Sequence, residues 1–183
     1  KLGNGLNRDI IKCVSTAGES GWWHHGEVRS IRLLGNKANN TLGHGLSVYG
    51  LAETSLIQRL SINEAAQAGL YHKGSASGTG SIENVTVNAN GLCGVQLDQF
   101  RSSILLKSVG GDQNPTTFLI TDPSQGGGTI QLIDPKSEGA VGADPDTCVL
   151  IQGGSAKVNL LIQGGNFTTP GTDKTMIRVA ADV

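Results

Sequence analysis

Ile57-Gln-Arg-Leu-Ser-Ile62 is followed 25 residues later by Ile82-Glu-Asn-Val-Thr-Val87 and preceded by Val28-Arg-Ser-Ile-Arg-Leu33. Each of the three carries apolar side chains at its first, fourth and sixth positions. Val158-Asn-Leu-Leu-Ile162 is a version one residue shorter, and Ile104-Leu-Leu-Lys-Ser-Val109 and Ile130-Gln-Leu-Ile133 fit less cleanly. A second kind of apolar stretch alternates with the first. It comprises Gly45-Leu-Ser-Val-Tyr49, Gly69-Leu-Tyr-His-Lys73 and Gly94-Val-Gln-Leu-Asp98. Thr117-Phe-Leu-Ile-Thr121, Thr147-Cys-Val-Leu-Ile151 and Thr175-Met-Ile-Arg-Val179 follow. Its anchors Leu46, Leu70, Val95, Phe118, Cys148 and Met176 recur at intervals of 24, 25, 23, 30 and 28 residues.

Two short strands per period of this length, with no helical periodicity, indicate a solenoid. One coil cannot bury its own apolar side chains, but stacked coils pair each strand with its equivalents above and below and line up aliphatic columns inside. The expected fold is therefore all-β: a right-handed parallel β-helix of about six coils. It forms one domain over residues 1–183, with 1–26 as a lead-in and 27–183 as regular coils. A β-sandwich also uses short strands and Gly-rich turns, but it needs no repeated pair at near-constant spacing.

Alternation along the strands places Ile31, Leu33, Leu60, Ile62, Val85 and Val87 inside, with Leu46, Val48, Leu70, Val95 and Leu97 inside on the second sheet. Between the strands lie Gly35-Asn36, Asn39-Asn40, Gly74 to Gly80, Asn88 to Gly91, Gly110-Gly111, Gly126 to Gly128, Gly153-Gly154 and Gly164 to Asn166. Gly and Asn tolerate the positive φ that sharp corners require.

Composition narrows the function classes. Fourteen basic and 15 acidic residues give no electrostatic reason to expect nucleic acid or a charged membrane surface as partner. No apolar run approaches the ~20 residues of a membrane helix. Cys13, Cys93 and Cys148 are an odd set at wide spacing, with neither a metal-finger nor a disulfide-framework pattern. No cofactor motif is present. The chain opens on Lys1, its one methionine is Met176, and strand-like segments lie close to both ends. The expectation is a piece of a longer helix.

Gly35-Asn-Lys-Ala-Asn-Asn-Thr41 followed by Gly43-His-Gly-Leu-Ser-Val48 resembles the wording of pectate-lyase-like β-helix proteins. That superfamily includes secreted polysaccharide lyases and hydrolases and the tailspikes and tail fibres of bacteriophages. The Gly-rich, acid-poor style is most similar to the virion proteins. The resemblance implies a virion or extracellular setting, a polysaccharide or cell-surface glycan as partner, and assembly as a homo-oligomer, a trimer in such phage proteins.

Glycoside hydrolysis needs two carboxylates across the scissile bond. Asp98 is the best outward strand carboxylate and the catalytic candidate; Glu83 and Glu64 lie elsewhere on their coils, and none has an obvious acidic partner. Asp144 and Asp146 could offer a calcium ion two ligands, short of the set it needs. Adjacent His24 and His25 point to opposite faces of a strand and so do not chelate together. His44 precedes a corner, and His72 aligns with the inward columns. No metal site is expected.

Surface ladders are the binding candidates. One outward ladder on the second sheet is Ser47, Tyr71, Gln96 and Leu119; its neighbour is Tyr49, Lys73, Asp98 and Thr121. Two tyrosines among polar groups suit sugar rings, whose CH faces pack on aromatics, and a Lys73–Asp98 cross-strand pair is the plain structural alternative. On the first sheet, Ser30, Arg59 and Asn84 form one outward ladder and Arg32, Ser61 and Thr86 another. Arg32 and Arg59 are thus diagonal neighbours able to receive an anionic sugar or to splay into solvent. Trp22 and Trp23 precede the first clean coil and could line a groove or a subunit contact. Asn39, Asn84 and Asn166 match the N-glycosylation pattern, as abundant Asn and Thr in turns would produce by chance. The expected function is adhesion or glycan recognition. The alternatives are a polysaccharide lyase or glycoside hydrolase of the same fold, and a purely structural spacer or decoration module.

Overall fold

A computed structural model describes residues 1–52, 54–76, 80–123, 128–138, 147–154, 158–168 and 175–180. Asp144 and Asp146 lie outside the described residues. The described residues contain strands and turns and no helix.

In chain order the strands are β1 (Ile11–Cys13), β2 (Glu27–Arg29), β3 (Arg32–Leu34), β4 (Leu46–Tyr49) and β5 (Leu56–Asn63). Then come β6 (Ala68–Ala76), β7 (Ser81–Asn88), β8 (Cys93–Asp112), β9 (Thr116–Thr121) and β10 (Gly128–Ile133). The last five are β11 (Lys136–Glu138), β12 (Thr147–Gln152), β13 (Val158–Gln163), β14 (Asn166–Thr168) and β15 (Thr175–Ala180).

The strands stack in parallel as a β-solenoid. The first ladder runs β2 and β3, β5, β7, the end of β8, β10 with β11, and β13 with β14. Among the described residues its six rungs bound about five turns. The second runs β1, β4, β6, the start of β8, β9, β12 and β15.

Register settles the two coils whose alignment the sequence leaves open. The column that starts at Val28, Ile57 and Ile82 continues through Leu106, Leu132 and Ile162. The first–fourth–sixth pattern thus recurs as Leu106, Val109, Gly111 and as Leu132, Pro135, Ser137, while Ile104 and Ile130 belong two residues upstream. On the second ladder the Leu46, Leu70, Val95, Phe118 column continues through Val149 and Ile177. Cys148 and Met176 are therefore one position off the anchor column.

A step of three between inward positions violates strand alternation, and the backbone shows why. Ser30, Arg59, Asn84, Ser108 and Asp134 share one column and all have φ between 48 and 55°, with Gly164 at 68° completing it. One left-handed residue turns the chain and resets which side faces in. The supposed outward ladder of Ser30, Arg59 and Asn84 is this corner column rather than part of a flat strand. A second corner holds Glu64, Ala89 and Gln113, and a third holds Gly50, Gly74, Gln99, Asp122 and Gly153. A non-glycine residue in this conformation costs roughly 1–2 kcal/mol, which the stacked neighbours must offset.

The aliphatic columns do so. Leu46, Ile57, Ile62, Leu70, Ile82, Val87 and Val95 are fully enclosed, and each such side chain contributes about 1.5–3 kcal/mol. Of the predicted inward residues, Leu33, Leu60, Ile62, Val85 and Val87 are buried, but Ile31 is 39% exposed. It sits on the end rung, with a stacked neighbour on one side alone. Asparagine also lines the interior. Asn114 Oδ1 accepts from both the backbone N–H and the side-chain amide of Asn90 at 3.0 Å, and Asn90 Oδ1 accepts from the Ala65 N–H at 2.9 Å. These amides satisfy backbone groups that the bend would otherwise leave buried and unpaired.

The candidate functional site

The outer face of the second ladder carries a hydrogen-bonded cluster of polar side chains. Register confirms both predicted columns there. Lys12, Ser47, Tyr71, Gln96, Leu119 and Leu150 form one; Tyr49, Lys73, Asp98, Thr121 and Gln152 form the other. Asp98 is the hub. Its Oδ2 accepts from the Tyr71 hydroxyl at 2.7 Å, and its Oδ1 accepts from the Thr121 hydroxyl at 2.9 Å. Lys73 Nζ lies 3.8 Å from Oδ2. Gln96 donates its amide to Thr121 Oγ1 at 3.2 Å. Three rungs of parallel sheet fix these groups, so their geometry needs no ligand to form it.

The tyrosines point outward yet are covered, each only 8% exposed. The His44 ring stacks on Tyr71 with centroids 4.2 Å apart and planes 9° apart. The Lys12 ammonium lies 5.0 Å from the Tyr49 ring centroid and pairs with Glu19. Tyr49 and Tyr71 also meet edge to face. The open sugar platform expected of them is thus roofed by His44 and Lys12. Burial, then the hydrogen bond to Asp98, raises the Tyr71 phenol above its usual range and keeps it a donor. Burial lowers His44 below the ordinary imidazole value, against the opposing pull of Asp9 and Asp98. Its Nδ1 accepts from the Ala68 N–H at 3.2 Å, and the His44 N–H donates to Asp9 at 2.8 Å.

Two depressions flank the roof. One, of about 380 Å³, is walled by Trp22, Glu19, Ser20, Lys73, Gly74 and Gln99. The other, of about 520 Å³, is lined by residues including Arg8, Asp9, Lys12, His44 and Tyr49. Trp22 is 42% exposed, whereas Trp23 is half-buried and packs against the core.

The remaining predicted residues stand apart. Arg32 and Arg59 are exposed on the first ladder, Arg59 at its corner. Arg32 pairs with Ser61, so the two arginines keep their diagonal relation. Glu83 accepts from Ser81, and Glu64 is exposed at the second corner. His25 contacts Thr54 through Nδ1. His72 is fully buried inside. Among the described residues no group of three His, Cys, Asp or Glu side chains is placed to hold a metal, and no helix is long and apolar enough to cross a membrane.

Sequence reasoning missed Lys12, Glu19 and His44 as parts of this site. The alternation in Ile11-Lys12-Cys13 was the available signal for Lys12, since it puts the lysine outside on the rung next to Ser47. The chain matches no family model, no curated protein and no solved structure in the comparisons with known proteins.

Proposed function

We propose that this β-solenoid is a glycan-recognition module of a virion appendage or secreted surface protein, of the pectate-lyase-like kind that its sequence resembles. The observation that supports this best is the strip of Tyr71, Lys73, Gln96, Asp98 and Thr121. It holds fixed donors and acceptors on three successive rungs and adjoins a depression walled by an exposed tryptophan. Sugars are bound through such pairs of polar groups and aromatic faces, because their hydroxyls need partners while their CH faces are apolar. In an appendage of this kind the chain works as a homotrimer.

A glycan array probed with the full chain tests this. Binding to a polysaccharide or oligosaccharide that falls at least tenfold in Asp98→Asn or Lys73→Ala supports it; a tenfold loss is a readily measured change. A polysaccharide-degrading enzyme is the alternative, carried by Asp98. Release of reducing ends or unsaturated uronate that disappears in Asp98→Asn establishes it instead. Absence of any glycan binding leaves the solenoid as a spacer and refutes both.

A further inference from the structure

The third corner of the solenoid borders open space at one of its positions. Gly50 and Gly74 hold its first two described positions, with φ of 65° and 88°. A Cβ on Gly74 would meet nothing within 4 Å, so this corner borders open volume. A Cβ on Gly50 would collide with the Gly21 carbonyl oxygen, so glycine there allows the segment carrying Trp22 to lie directly against the corner. That segment is fastened by its backbone. The Trp23 N–H donates to the Gly50 carbonyl at 2.7 Å, and the Ala52 N–H donates to the Trp23 carbonyl at 3.1 Å. Trp22 is therefore an exposed aromatic on a fixed mount. Its ring lies nearly parallel to His24, with centroids 6.1 Å apart and planes 14° apart.

The cavity beside it holds about 380 Å³, within the ~300–1,000 Å³ range of small-ligand sites. Its polar wall is electrically matched among the described residues. Lys73 is 3.8 Å from Asp98, and Glu19 is paired with Lys12. Each charge has its countercharge outside the cavity, leaving hydrogen-bonding capacity without a net field to select an ion. Ser20 and Gln99 add uncharged polar groups. An apolar ring face opposite donors and acceptors, with charge already compensated, fits a ligand with one CH-rich face and a hydroxyl-rich edge.

We propose that this corner cavity is a subsite for a neutral pyranose ring, stacked on Trp22 with its hydroxyl groups received by Glu19, Ser20 and Lys73. The inference rests on the glycan reading and narrows it: the ring at this position is uncharged, whatever the sheet face beyond contacts. It also assigns the two tryptophans different roles. Trp22 faces ligand, while Trp23 packs inward.

Tryptophan fluorescence of the full chain, titrated with defined oligosaccharides, is the test. Cellohexaose, maltohexaose and chitohexaose serve as neutral probes; oligogalacturonate and sialyllactose serve as acidic ones. Calorimetry supplies the affinities. The expected result is that at least one neutral oligomer binds and shifts the emission. Trp22→Ala should weaken that binding roughly tenfold, and Trp22→Phe should retain most of it. Because Trp22 is exposed, the melting temperature of both variants should match the parent, which separates loss of contact from loss of fold. Binding of acidic oligomers alone, or neutral binding indifferent to Trp22→Ala, overturns the subsite while leaving the glycan reading in place. If no probe binds here and none binds on the array, both fall together.

Discussion

Lowering the pH from about 7.5 to about 5 should weaken the fold through one interior side chain, His72. It stands in the column of Val48, Leu97 and Ile120 and is wholly enclosed. Its Nε2 accepts from the Leu51 N–H at 3.3 Å, which puts the proton of the neutral ring on Nδ1, where no partner is found among the described residues. Phe100 meets the ring edge to face. Burial pushes the imidazole down to about 4, with Asp98 pulling weakly the other way. In the unfolded chain the same ring titrates near 6.5. As pH falls the unfolded state therefore binds the proton first, and protonation favours unfolding. The stability tied to neutral His72 is complete above pH 6.5 and drains away between there and pH 4. With 1.36 kcal/mol per pKa unit, the loss between pH 7.5 and pH 5 is about 2 kcal/mol. Urea unfolding at a series of pH values, for the parent and for His72→Leu, measures it. Leucine suits an aliphatic column and removes the unpaired donor. His44 is also shifted downward and adds acid sensitivity of the same sign, but it is common to both proteins, so the difference between them isolates His72. The gap between the two curves should widen by about 2 kcal/mol in favour of leucine on acidification. Parallel curves would refute the reasoning, since they would mean that His72 is protonated in the fold or solvated there.

Asn114→Ala removes the acceptor shared by two Asn90 donors and the donor to the Val87 carbonyl, the latter at 2.7 Å; buried groups left without partners should cost roughly 3 kcal/mol, read as a lower urea midpoint. Arg59→Gly relieves a left-handed arginine on an exposed corner. After allowing for the added chain entropy it should raise stability by about 0.5 kcal/mol in thermal melts, and a lower melting temperature would contradict the corner assignment.

The paired motif was sufficient to identify a parallel solenoid, because Leu60, Ile62, Val85 and Val87 can be buried together only by stacking. Its reach ended where local pattern and register separate. Ile104-Leu-Leu106 is apolar for two residues more than its neighbours, so its first isoleucine imitates an anchor that belongs to Leu106. Thr147 and Thr175 resemble Thr117 yet sit opposite Thr116, one position earlier, which displaced the anchor to Cys148 and Met176. The step of three in Val28, Ile31, Leu33 already contained the left-handed corner, since strict alternation cannot produce it. Both outward columns of the candidate site were legible from the same alternation. The roof over Tyr49 and Tyr71 was not, because it comes from Lys12 and His44, more than 25 residues before Tyr71 and close to it only through coiling. The interior asparagines were hidden for a different reason: Asn signals a turn in sequence, and nothing local distinguishes an amide that faces water from one that seals a core.

The corner residues also divide the chain into segments where length is fixed and segments where it is free. Within the first ladder the inward triplet spans the same interval on every rung, from Val28-to-Leu33 through Ile162-to-Phe167. All variation falls between ladders: 13 residues separate Leu33 from Leu46, whereas 8 separate Ile62 from Leu70. A deletion of one residue inside a triplet would turn its columns inside out as far as the next bend. The same deletion between ladders costs little, because loop-closure entropy changes slowly with length. Natural drift and deliberate grafting alike are therefore channelled to the connecting segments, so new surface chemistry can be added to one turn without disturbing the frame of the next.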